Sequence, residues 1–270
     1  MKAFKNHFIF EFKTGIRDKN LLLLNYLFPL GFFIMLGFLM KSINPDFIEI
    51  IIPSMLVISI LISTILGLPD PLVKSREAGI FRSYKINGVP STSLIAIPPL
   101  TIIMHEIIVA IIIILTAFSI FNAPLPKNLF YFILIFLLTA FICAGLGVLI
   151  GVASSSSRAT ILWSQLIFLP SMLIGGFFIP YNVLPDILKR IGMLLPSTHA
   201  VNLFRYYSYN QSIGYNPIWS LVILIVGGLL SFGLAIYLFD WDSQNKTRKG
   251  HPAFAFIAII PLIIGAILIP

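Results

Sequence analysis

Six separate runs of about twenty mostly apolar residues dominate this chain. An α-helix of that length is what crosses the roughly 30 Å hydrocarbon core of a bilayer. The runs are Leu21–Met40, Ile48–Leu68, Leu94–Phe121, Leu129–Val152, Thr160–Ile179 and Pro217–Phe239. A seventh, Ala253–Pro270, is just long enough and holds Pro261. None alternates with period two, so membrane strands do not compete. The expected fold class is an all-α polytopic membrane protein with six transmembrane helices and a seventh, C-terminal membrane segment. Composition points the same way: 58% of residues are apolar and 10% charged, against about a quarter charged in soluble domains. The 270 residues fit one membrane domain, 1–240, then a basic loop, 241–252, and the added segment, 253–270.

The net charge of +8 is concentrated beside the spans. There it sets topology and meets anionic lipid, so membrane lipid is an expected partner and nucleic acid is not. With the N-terminus inside, 13 Lys and Arg are cytoplasmic and five are outside. That bias predicts a multi-pass protein of the cell membrane with a cytoplasmic N-terminus. The single Cys143 forms no intrachain disulfide. Met1–Asn20 is too long and too mixed in charge for a cleavable signal.

Phe4, Phe8, Phe12 and Ile16 recur every four residues, with Ile9 on the same broad face. Lys2, Lys13 and Arg17 lie opposite, so residues 1–20 read as an amphipathic helix in the inner interface. The outer loop, 180–216, carries a stripe of Ile187, Leu188, Ile191, Leu194 and Leu195 between Pro185 and Pro196. As a helix this segment rises only about 17 Å. It therefore reads as a re-entrant element that dips in from outside and is covered by protein or a pathway.

No phosphate-loop motif is present, so nucleotide is not bound by that device here. Gly147 and Gly151 read as close helix packing. His7, His105, His199 and His251 are scattered, and no metal site is expected. No catalytic residues are expected either. His105 and Glu106 are the ionisable pair deep in a span. They fit a cation or proton site, a pathway wall, or a cross-helix hydrogen bond with Glu106 neutral. Gln165 is the polar point of the fifth span and fits a bond across a helix interface, within the chain or between subunits. The loop over 69–93 reads Asp70-Pro-Leu-Val-Lys74-Ser-Arg76-Glu77-Ala-Gly79-Ile-Phe-Arg82, then Asn87-Gly-Val-Pro90. It is either a solvated positive-inside loop or a docking element.

At this loop the chain resembles the permease subunits of ABC-2 type exporters, through Glu77, Gly79 and Arg82 followed by Pro90. A second match runs from Gly176-Phe177 and Pro180 through Leu184-Pro185 to Pro196, Thr198 and Arg205. The resemblance covers about residues 1–240. It implies a transport subunit, not an enzyme, which pairs with a second permease copy or paralogue. A separate cytoplasmic ABC ATPase would bind ATP and Mg, and no cofactor would sit on this chain. Lys74, Arg76, Glu77, Gly79 and Arg82 would form the ATPase-coupling loop. The second and fifth spans would line the pathway, with His105, Glu106 and Gln165 as its polar candidates. Pro180, Pro185, Pro196, His199 and Arg205 would belong to the outer gate. The family usually stops after six spans, so Ala253–Pro270 is an addition that would put the C-terminus outside. An ion- or proton-coupled transporter using Glu106 without an ATPase is the alternative. An intramembrane enzyme is a third reading, with little support from the scattered His residues.

Overall fold

The computed structural model describes residues 2–43, 45–178, 184–242 and 250–269. Every regular element among them is helical. The N-terminal helix α1 covers Lys2–Arg17. Six helices are long and apolar enough to cross a membrane: α2 (Lys19–Ile43), α3 (Phe47–Glu77), α5 (Ser91–Phe121), α6 (Leu129–Ala153), α7 (Ser157–Ile174) and α10 (Ile218–Leu238). The short helix α4, Ile80–Ile86, lies between α3 and α5. Helices α8 (Asp186–Gly192) and α9 (Pro196–Leu203) form the outer element, and α11 covers Pro252–Leu268.

Burial separates these spans. In α3, 94% of the apolar window is inside the protein, against 28% in α2 and 22% in α7. Helix α3 is thus the hub, apolar on all sides as a fully buried helix must be. The other spans enclose it and turn their outer faces to lipid. Small residues allow close approach. A Cβ on Gly147 of α6 would strike the Thr64 carbonyl of α3. One on Gly151 would lie 3.0 Å from the Pro69 carbonyl. Gly227 and Gly228 of α10 bring that helix onto Ile142 and Phe141 of α6, and Phe141 stacks on Phe232 at 5.1 Å.

Several boundaries differ from the sequence reading for identifiable reasons. The second span does not stop at Leu68. Its helix passes a π turn at Ile62–Leu66, bends at Gly67–Leu68 and continues as Pro69–Glu77. Pro69 and Pro71 have no N–H to continue the ladder, and the Gly67 N–H bonds instead to the Ile62 carbonyl at 3.0 Å. The third span is helical from Ser91 onward, with Pro98 and Pro99 inside the helix. The Thr101 hydroxyl donates to the Pro98 carbonyl at 2.8 Å. The fifth span ends at Ile174, short of Ile179, because Gly175 and Gly176 (φ +83°) turn the chain. Phe177 is then buried and its carbonyl accepts from Ser54.

The outer element is present as two helices, and the deeper one is not where the apolar stripe suggested. Ile187, Ile191 and Leu194 on and after α8 are exposed. All eight residues of α9 are buried, although four of them, Ser197, Thr198, His199 and Asn202, are polar. Internal hydrogen bonds offset the burial of His199 and Asn202, while the Ser197 and Thr198 hydroxyls have no partner among the described residues. Helix α8 turns Ile187 and Ile191 to the surface.

Helix α11 begins with a 3₁₀ stretch, Pro252–Ile259, and ends as α-helix, Ile260–Leu268. At about 2.0 Å per 3₁₀ residue and 1.5 Å per α residue, it extends roughly 29 Å, near the hydrocarbon thickness. Phe254 meets Tyr237 at one end. Phe256 meets Trp163 edge-on at 5.5 Å. Leu262 and Ile269 cluster with Met193 and Ile223 at the outer end. The seventh segment therefore runs the length of α10, from the inner turn to the outer element.

Candidate functional site

The loop over 69–93 folds into a helical hairpin: the Pro69–Glu77 end of α3, then Gly79, then α4. Gly79 has φ +73°, the left-handed conformation that suits glycine. The sequence-predicted residues divide here. Lys74, Glu77 and Arg82 are on the surface. Arg76 turns inward and is buried. Its Nη1 donates to the Val152 carbonyl at 2.8 Å, and Nη2 donates to the Ser154 carbonyl. These acceptors belong to the C-terminal end of α6, where carbonyls have no partner within the helix. Lys74 pairs with Asp70 at 2.6 Å, one helical turn away.

Helix α4 is tied on one side to the inner end of α10. Phe81 packs on Phe239 at 5.5 Å, Arg82 forms an ion pair with Asp242, and Lys85 lies 6.0 Å over the Trp241 ring. On another side the Tyr84 ring is 5.3 Å from His7 of α1. Both ends of α4 keep an exposed aliphatic side chain. Ile86 is 81% exposed and Ile80 is 44% exposed. An open groove of about 450 Å³ lies at the Ile86 end of α4, lined by Phe4, Phe10, Tyr84 and Asn87–Pro90 among others.

Helix α1 packs on the inner half of α5. Gly15 faces His105 so closely that a Cβ would lie 2.5 Å from Nε2. Phe12 stacks on the His105 ring at 4.3 Å. The protein-facing residues are His7, Phe8, Glu11, Phe12 and Gly15, while Ile9 and Ile16 remain exposed. His7 and Glu11 pair at 3.4 Å. Burial raises the Glu11 pKa, against the opposing effect of His7.

His105 and Glu106 point to different partners, as their 100° separation requires. Tyr26 of α2 and His105 Nδ1 are 2.7 Å apart. Ser59 of α3 donates to Glu106 Oε2 at 2.6 Å. Glu106 thus joins α5 to the hub helix. Gln165 is half-buried on α7, next to the buried Ser164, and does not share the His105–Glu106 cluster.

In the loop before α10, Pro185 precedes α8 and Pro196 opens α9. Pro180 lies outside the described residues, as do Lys246, Arg248 and Lys249. His199 is fully enclosed. Its Nδ1 meets Ser220 and its Nε2 meets the Met193 carbonyl, both at 2.9 Å. Ser220 continues to Tyr215, which accepts from Asn202 at 3.1 Å. Arg205 Nε donates to Gln211 at 3.0 Å. No group of His, Cys, Asp and Glu among the described residues could hold a metal ion.

Sequence reasoning missed Asn25, Tyr26, Ser59 and the Trp241–Asp242 clasp. Asn25 was visible as the one amide inside the first span. The rest acquire meaning only from their neighbours.

The chain is similar in sequence to known proteins. The family model for the ABC-2 type transporter matches residues 3–209. A Bacillus subtilis protein named as a transport permease, YvfS, is 24% identical over 238 residues, covering 87% of this chain and 95% of its own length. The capsule polysaccharide export inner-membrane protein CtrC of Neisseria meningitidis serogroup B is 32% identical over 114 residues. That match spans 42% of each chain. The ABC transporter G family member 20 of Dictyostelium discoideum is 25% identical over 213 residues, which is 76% of this chain and 28% of that protein. No solved structure matches.

Proposed function

The chain belongs to the ABC-2 type transporter family, and on that premise we propose that it is the permease subunit of an ATP-driven exporter powered by a separate ATPase. ATP and Mg would be held by that partner chain. Two permeases, identical or paralogous, would pair to enclose the pathway, with α1 and the α3–α4 hairpin on the cytoplasmic side.

The observation that carries this reading is the free C-terminal end of α4. Phe81, Arg82 and Lys85 fix α4 to the end of α10, while Ile86 stands out in solvent beside a groove. A bare aliphatic side chain on a rigid, charged cytoplasmic element is suited to fill a pocket on another protein. Glu77 and Lys74 are exposed on the same hairpin. The hairpin is the inner end of the hub helix, so a push on Ile86 passes along α3 into the centre of the bundle.

The test is co-purification with an ABC ATPase from native membranes, followed by export from proteoliposomes that hold both chains. Export that requires ATP and the partner supports the proposal. Transport by this chain alone under an ion gradient would overturn it and favour ion coupling at Glu106.

A further inference from the structure

A second cavity lies behind the hairpin and is not used by the docking reading. It measures about 270 Å³ and is walled by α1, the start of α2, the inner end of α3, α4 and the first half of α5. Two features of its lining are unusual. Asn25 is 0% exposed, and neither its amide oxygen nor its amide nitrogen has a partner among the described residues. Buried polar groups are almost always paired, so an enclosed amide facing a cavity calls for an occupant. The second feature is charge. The chain carries +8, with Lys5, Lys13 and Arg17 on α1 itself. Yet among the described residues no Lys or Arg lines this cavity. Its one carboxylate there is Glu11, and its basic groups are His7, which pairs with Glu11 at 3.4 Å, and the buried His105. Phe10, Phe81 and Tyr84 add three aromatic rings.

We propose that this cavity binds a small arylalkylamine, a protonated amine on an aromatic frame with a second hydrogen-bonding group. The ammonium donates to Glu11, a charge-assisted contact strengthened by partial burial. Aromatic walls accept both the ring and the cation. The second polar group meets the Asn25 amide. An anionic ligand is disfavoured by Glu11 and by the absence of Lys and Arg, since His7 is already engaged with Glu11 and His105 is buried. Burial already disfavours the Glu11 carboxylate, and a bound cation relieves that cost. Occupancy ties α1, α4 and α5 together. That consequence for coupling rests on the docking reading, whereas the binding does not.

The experiment uses the full chain in lipid nanodiscs without an ATPase, with empty nanodiscs as the partition control. Three probes share one ring and differ in charge: tyramine (cation), tyrosol (neutral) and phloretate (anion). Saturation-transfer NMR reads each. Tyramine is expected to bind saturably and at least about tenfold tighter than the other two. Glu11→Gln and Asn25→Leu, checked for an unchanged melting profile, should each weaken tyramine about tenfold. Asp186→Asn on the outer surface should leave it unchanged. Equal binding of the three probes, no saturable tyramine binding, or full affinity in a folded Glu11→Gln chain would overturn the proposal. The comparison of probes on the unmodified chain decides the matter even where a variant fails to fold.

Discussion

Arg76 reaches from the inner end of α3 to the last turn of α6 and bonds the Val152 carbonyl at 2.8 Å. A residue that reads as part of a charged loop is thus a cap on a neighbouring span. The capped carbonyls have no other intrahelical donor, and the guanidinium is enclosed. The bond fixes the angle between the hub and the helix that carries Gly147 and Gly151.

Arg76→Ala should therefore act on stability. Losing hydrogen bonds to a charged donor costs about 1.5–3 kcal/mol. The expected result is a lower unfolding midpoint in detergent, with Arg76→Lys between the two. An unchanged midpoint would refute the capping role.

Glu77→Ala should behave in the opposite way. The carboxylate is on the surface, so expression and melting should be unchanged while ATP-coupled export falls. Ile86→Asp should go further and weaken ATPase association by roughly 2 kcal/mol or more, as for a central interface contact. Pull-down yield measures this. A large loss of folded protein in either variant would contradict docking.

Gly147→Ala tests the seam between α6 and α3. Its new Cβ meets the Thr64 carbonyl, which is backbone and cannot swing aside. A cost of about 1–3 kcal/mol is expected from overpacking. Gly31→Ala, with nothing within 4 Å of its Cβ, should be neutral or slightly stabilising. Melting of the two variants side by side gives the answer.

Glu106→Gln should keep the fold and transport, because an amide oxygen accepts from Ser59 as the carboxylate does. Glu106→Leu leaves the Ser59 hydroxyl buried without that acceptor and should cost about 1–3 kcal/mol. Export assays on the Gln variant discriminate: abolished transport would assign a chemical role to the acid, and retained transport a structural one.

Much of the architecture was legible in the residues. The six spans and the added segment follow from length and apolarity, and the N-terminal helix from a four-residue repeat. The outer element was legible as a short buried feature between prolines. It was misplaced by one helix, because apolar Ile187 and Leu194 face outward while polar Ser197, His199 and Asn202 go in. At the candidate site, Lys74, Glu77 and Arg82 stand on the surface as the loop's composition suggests. Arg76 does not, because nothing local says that the end of another span lies within reach of its guanidinium.

What the sequence determined by itself is that this chain lives in lipid, and how many times it can cross. A run of some twenty apolar residues satisfies its own backbone and solvent wherever its neighbours stand. Rotation about each helix axis was decided by tertiary structure alone. A helix apolar all around has no face to read, and α3 is such a helix. Only when α2, α5 and α6 close on it do Asn25, Ser59, His105 and Glu106 acquire partners or a cavity, because those contacts join positions tens of residues apart.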